Sequence, residues 1–133
     1  MALTTHSPRH VSDTLLAGKV AATSYYTAQA AAVALAAATS IDLRGKTTLY
    51  VEILETQAGT MNGIVDMHFA IADATADYQT EPAKRHLVRS TAVSGNQTFL
   101  YTFNLKDIGA HYCRIPISTV IANGTVTVNY AFG

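Results

Sequence analysis

Tyr112 and Arg114 are the pair best placed to do chemistry in this chain. Period-two spacing puts a phenol ring and a guanidinium on one face of an extended segment. The planar Arg fork makes bidentate bonds to carboxylates and is favoured in buried pairs and at interfaces. Arg114 is therefore expected either to pair inside the chain, with Asp42 or Asp107, or to contact a partner subunit. His111 and Cys113 form a second period-two pair on the same strand. A Cys/His dyad needs a third orienting group and a setting that favours thiolate. Neither is visible, so Cys113 reads as a small buried hydrophobe.

The remaining titratable residues make weaker patterns. His6 and His10 have helical metal-ligand spacing, but Pro8 lies between them and breaks the helix the spacing needs. Asp66 and His68 share a strand face and Asp73 and Asp77 follow, yet no dense Asp/Asn/Gly loop supplies the clustered oxygens calcium takes. Glu52 and Glu55 do not form a convincing acid/base pair. No Gly-rich phosphate loop or nucleophile elbow is present, and Ser94-Gly95 reads as a turn. Lys84, Arg85 and Arg89 read as a solvated basic stretch. The sequence thus points to no catalytic, cofactor or metal residues and to a chain that is not an enzyme.

Composition narrows the class further. The 133 residues carry nine basic and nine acidic side chains, 14% in all, against a usual charged fraction of about 25%. A neutral chain lacks the surplus of Lys and Arg that phosphate neutralisation needs, so no nucleic-acid partner is expected. Little charge has to be desolvated when such a surface meets another protein. The length fits one domain with its own core. A single cysteine permits no internal disulfide. The longest apolar run, 30–38, is mostly alanine and far short of a membrane span, so no membrane is expected. No basic start followed by a long apolar run marks a secretory signal. The sequons at Asn96 and Asn123 therefore read as unglycosylated turns.

The elements that would position Tyr112 and Arg114 are strands. Phe99, Tyr101, Phe103 and Leu105 alternate over 97–105, and Val126, Val128, Tyr130 and Phe132 over 125–132. Strict alternation marks a strand with one buried face. Further strands are expected over 47–54, with Leu49, Val51 and Ile53 inward, and over 64–72, with Val65, Met67, Phe69 and Ile71 inward. Weaker ones cover 87–93 and 111–117, the last interrupted by Pro116 at an edge or bulge. Residues 44–46, 107–109 and 122–124 read as turns, and 73–85 as the longest loop. The Ala-rich stretch 27–38 suits a helix by propensity, but it has no amphipathic stripe and its flanks favour extended chain, so strand is preferred. Residues 1–18 read as an extended N-terminal arm anchored by Leu15 and Leu16, ahead of one β-sandwich domain over 19–133. Stretched out, the arm spans up to about 60 Å, enough to reach an adjacent subunit. Short strands with Gly and Asn turns indicate an all-β antiparallel sandwich or barrel of about eight strands.

Two segments carry a family resemblance. Ser40-Ile41-Asp42-Leu43-Arg44-Gly45 leads into an alternating strand, and Gly109-Ala110-His111-Tyr112-Cys113-Arg114-Ile115 precedes a Gly turn and the final strand. The order resembles small virion proteins of tailed bacteriophages over residues 40–133. Cys113 departs from the aliphatic residue more usual there, and the polar 73–85 loop does not align. The resemblance implies a jelly-roll-like sandwich that decorates or cements the capsid. It would be made in the bacterial host cytoplasm and carried on the virion surface, with the major capsid protein as partner. Such proteins gather around symmetry axes, so self-association is expected, as a trimer in preference to a dimer. Leu15, Leu16 and Arg114 are the candidate partner-binding residues. A head-to-tail or tail position, or a carbohydrate-binding β-sandwich module, are the alternatives. The last is disfavoured because the chain has no Trp and most of its aromatic residues fall at inward positions.

Overall fold

The computed structural model describes residues 9–11, 20–28, 32–88, 96–118 and 123–133. The described residues form two antiparallel sheets facing one another. The strands are β1 (Arg9–Val11), β2 (Val20–Ala28), β3 (Ile41–Asp42), β4 (Thr48–Gln57), β5 (Gly63–Ala70), β6 (Lys84–Val88), β7 (Asn96–Asn104), β8 (Tyr112–Arg114) and β9 (Gly124–Phe132). One sheet runs β1-β7-β4-β9-β2 and the other β3-β8-β5-β6. Every strand pair is antiparallel.

The strongest alternating segments make the centre of the larger sheet. Leu49, Val51 and Ile53 of β4 lie opposite Phe103, Tyr101 and Phe99 of β7 on one side. On the other side they face Phe132, Tyr130 and Val128 of β9. These side chains meet Val65, Met67 and Phe69 of β5 and Cys113 of β8 in one continuous core. The Asn123-Gly124 turn opens β9. Asn123 has φ 59° and Gly124 φ 154°, and a Cβ on Gly124 would collide with the Thr56 carbonyl oxygen and the Met61 sulfur. Only glycine fits there.

Several sequence expectations need correction. β5 ends at Ala70, so Ile71 is not inward but 69% exposed. The strand expected over 87–93 begins earlier, at Lys84, inside the expected loop; its Lys84 and Arg85 are strand residues, not loop. Residues 89–95 lie outside the described residues. The strand expected over 111–117 is regular only for Tyr112–Arg114. Pro116 has no N–H to continue the ladder. Beyond it, the Asp66 N–H bonds the Pro116 carbonyl, and Ile117 bridges Val33 and Val65. Among the described residues of the Ala-rich stretch, Thr27 and Ala28 are strand. Residues 35–37 are a turn, with the Ala37 and Ala38 N–H groups bonded to the Ala34 carbonyl. Capture of Val33 by Ile117 overrides alanine's helix propensity.

The expected turn at 107–109 belongs to a one-turn helix, α1 (Leu105–Ile108). The Asn104 side chain caps its N-terminus by accepting from the Lys106 N–H, and Gly109, left-handed at φ 69°, ends it. Within the stretch expected to be an arm, Arg9–Val11 pairs with Thr98–Leu100 at the edge of the chain's own larger sheet.

Candidate functional site

The two segments that carry the family resemblance are hydrogen-bonded neighbours. β3 pairs with β8, Ile41 opposite Cys113 and Asp42 opposite Tyr112. Asp42 accepts from Arg44 through both carboxylate oxygens, from Nε at 3.0 Å and Nη2 at 2.8 Å, and from the Arg44 backbone N–H. The same guanidinium lies 5.3 Å from the Tyr112 ring centroid. Next to it, Lys46 Nζ sits 4.9 Å from the Phe132 ring centroid. The result is an exposed polar corner of Asp42 and Arg44 backed by half-buried aromatic rings.

Arg114 projects from the outer face of the smaller sheet, yet it is only 8% exposed. The 71–83 segment folds back over that face. His68 Nδ1 lies 2.9 Å from the Gln79 carbonyl oxygen, and the Ala83 N–H bonds the Met67 carbonyl. Under this cover all five Arg114 N–H groups are used. Nε donates to Ser40 Oγ, Nη1 to the Leu35 carbonyl and Thr75 Oγ1, and Nη2 to the Asp73 carbonyl and Oδ1. The guanidinium also stacks over Tyr78, 4.8 Å from its centroid. The partner expected for Arg114 is therefore corrected. It is Asp73, not Asp42, which is held by Arg44, and not Asp107. Tyr25 closes this region from the other side, its hydroxyl accepting from the Ile115 N–H and donating to the Thr39 carbonyl. Leu15 and Leu16 lie outside the described residues.

The carboxylates respond electrostatically. Hydrogen bonds from Ser40 and Tyr78, and then from Arg114, hold Asp73 below the usual carboxylate range. The side-chain bond from Arg44 lowers Asp42 to about 2. Tyr78 is pushed up to about 12, first by burial and then by its bond to Asp73. Because both folded-state carboxyls titrate below their unfolded values, they stabilise the fold above about pH 4. That contribution is lost as pH falls through the depressed values. Melting temperature should therefore drop between about pH 4 and pH 2, and Asp73→Asn should flatten the drop. An acid profile identical to wild type would show that Asp73 is not held as described.

A second polar cluster was not legible in the sequence. Glu55 occupies the inward position that follows Leu49, Val51 and Ile53, and it is fully buried. His86 of β6 inserts between the sheets, with Nε2 2.6 Å from Glu55 Oε2 and Nδ1 2.7 Å from the Tyr101 hydroxyl. Burial, and then the Glu55 charge, push the Tyr101 phenol up. A hydrogen-bonded chain thus crosses from β4 to β6 to β7. The signal that could have exposed it is the period-two continuation to Glu55. The pair Glu52 and Glu55 is divided by the same period, for Glu52 faces outward and accepts from Asn129 Nδ2 at 3.0 Å.

Cys113 is buried, and burial pushes its thiol up. A thiol reagent such as Ellman's should therefore leave native protein unmodified and react stoichiometrically only after denaturation. Rapid reaction of the native protein would contradict this placement. Among the described residues no group of three or more His, Cys, Asp or Glu is arranged to hold a metal ion. Among the described residues no helix is long and apolar enough to cross a membrane.

Beside the Arg114 cover lies a cleft of about 440 Å³, between the end of β5, the 71–83 segment and the residues following α1. Phe69, Ala70, Ala83 and Ile108 form apolar walls, Ile71 stands at the lip, and Asp77 and Gln79 supply polar groups. No family model, curated protein or solved structure matches this chain.

Proposed function

We propose that this chain is a non-enzymatic decoration or cement protein of a tailed-bacteriophage capsid, with a jelly-roll-like sandwich as its body. The observation that supports the reading is the pairing of β3 with β8. The two sequence segments that resemble such virion proteins lie far apart in the chain and form one corner, with Asp42, Arg44 and Tyr112 in contact. Short motifs that pack on each other are constrained by a common structure, which raises the weight of their joint occurrence.

The mechanism is mass action. A protein that binds the assembled, expanded lattice and not its free subunits stabilises the lattice. Attachment through two or more neighbouring subunits adds avidity. Charge-poor surface keeps the desolvation cost of that attachment low. In this reading the arm, through Leu15 and Leu16, contributes to the attachment.

The test uses heads lacking this protein, from the phage that encodes it. Purified full-length chain should co-sediment with expanded heads, leave unexpanded heads unoccupied, and raise the temperature at which expanded heads come apart. Full-length chain carrying Leu15→Ser and Leu16→Ser, which keeps β1 in the sequence, should occupy fewer sites. No co-sedimentation with either form of the head would overturn the reading.

A further inference from the structure

We propose that Asn123 is a site of spontaneous deamidation, and that the fold directs this modification to it and away from Asn62. The chain holds two Asn-Gly dipeptides, Asn62-Gly63 and Asn123-Gly124. Asparagine is a thermolabile residue, because the next backbone nitrogen can attack its side-chain carbonyl carbon. Glycine leaves that nitrogen open, having no Cβ to crowd it. The other asparagines precede Gln97, Leu105 and Tyr130, whose side chains shield the nitrogen. Asn62 and Asn123 are both exposed, so what separates them is the glycine that follows.

In antiparallel strands the backbone groups point alternately toward and away from a given neighbour. On one side of β5 the Ile64 carbonyl accepts from the Ser118 N–H, and the Asp66 N–H donates to the Pro116 carbonyl. On the other side the Met67 carbonyl accepts from the Ala83 N–H. Gly63 shares the orientation of Met67, so its N–H is directed at Val88 of β6, its partner in the ladder. Gly63 is also buried. Its nitrogen is engaged in the sheet and shut off from base. The second dipeptide is oriented the other way. β4 and β9 bond at Asn123, whose carbonyl accepts from the Ala58 N–H, and at Gly133, whose N–H donates to the Thr48 carbonyl. Gly124 lies out of phase with both, opposite Gln57, so its N–H points away from β4. The Asn123 carboxamide is held by an exposed hydrogen bond from Nδ2 to the Thr60 carbonyl at 3.0 Å, which exchanges with water at small net cost.

In the reaction the Gly124 nitrogen gives its proton to hydroxide and bonds to Asn123 Cγ. The Cγ–Nδ2 bond breaks, and Nδ2 takes a proton from water and leaves as ammonia, closing a succinimide ring. Water then opens the ring at either carbonyl, leaving aspartate or isoaspartate. Water enters, ammonia leaves and nothing is oxidised. Isoaspartate adds a methylene to the main chain between residues 123 and 124. Gly124 has no room to absorb it, since even a Cβ there would lie 2.2 Å from the Thr56 carbonyl oxygen and 2.4 Å from the Met61 sulfur. β9, which sits between β4 and β2, must then shift against β4.

The test ages the full chain in warm, mildly alkaline buffer, with and without urea, and maps tryptic peptides by mass. Peptide 115–133 carries Asn123 and peptide 47–84 carries Asn62. In native protein, peptide 115–133 should gain the mass of an NH2-to-OH exchange, located by fragmentation at Asn123 and not at Asn129. Peptide 47–84 should change at least about tenfold more slowly, because its reaction waits for β5 and β6 to part. In urea the two should react at similar rates. The isoaspartyl fraction, resolved by ion exchange, should melt below unaged protein. Asn123→Asp leaves the main chain unchanged and should melt close to wild type. Native protein in which peptide 47–84 changes as fast as 115–133, or in which 115–133 stays unmodified, would overturn the proposal. So would an isoaspartyl fraction that melts like unaged protein.

Discussion

Phe103→Ala is expected to lower the unfolding free energy by about 3–5 kcal/mol, the usual cost of truncating a buried aromatic side chain. Phe103 has no exposed surface. It sits on β7 opposite Leu49 of β4, and its ring meets Phe69 of the other sheet edge-on, with centroids 5.1 Å apart. It therefore touches both sheets, and its loss leaves a cavity where they press together. The surroundings are strands fixed by ladders on both sides, which limits collapse into the void. Urea denaturation followed by far-UV circular dichroism measures the effect, as a lower midpoint at unchanged slope. A midpoint equal to wild type would mean that the inward face of β7 is wrongly assigned.

Arg114→Met is expected to cost about 2–3 kcal/mol, the loss of hydrogen bonds from a buried guanidinium to acceptors that include the partly exposed Asp73 carboxylate. The substitution keeps much of the side-chain volume and deletes all five donors. The Leu35 carbonyl, Thr75 hydroxyl and Asp73 backbone carbonyl lose their bonds from Arg114 together. Those groups belong to two stretches of chain, around 35–40 and 73–78, which this guanidinium and the Ser40–Asp73 hydrogen bond tie together. Hydrogen exchange should therefore accelerate around residues 35–40 and 73–78 before the rest of the sheets open. Arg114→Lys should recover only part of the loss, because an ammonium cannot fill five positions of a planar fork. If Arg114→Met melts like wild type but loses capsid occupancy, Arg114 serves a partner rather than the fold.

Strand formation and facing were legible in the sequence because they depend on neighbours along the chain. A side chain's face in a strand alternates with residue number, so 48–57, 96–104 and 124–132 declared their inward residues directly. Turn chemistry is equally local, and Asn123-Gly124 marked the start of β9 because few residues tolerate that backbone. Which strands share a sheet, and who partners a buried charge, depend on residues far apart in the chain. Arg114 chose Asp73 over Asp42 because the 71–83 segment folds back over the outer face, while Asp42 was already held by its own neighbour Arg44. His86 lies between the basic residues Arg85 and Arg89, and only the pairing of β6 with β5 turns it toward Glu55 and Tyr101. Ile71 continued an apolar alternation on paper, but the strand stopped one residue short and left it at the lip of a cleft. Periodicity records only the local period of the backbone. Where a strand ends, and what covers its outer face, are decided by the competition among distant segments for the same surface.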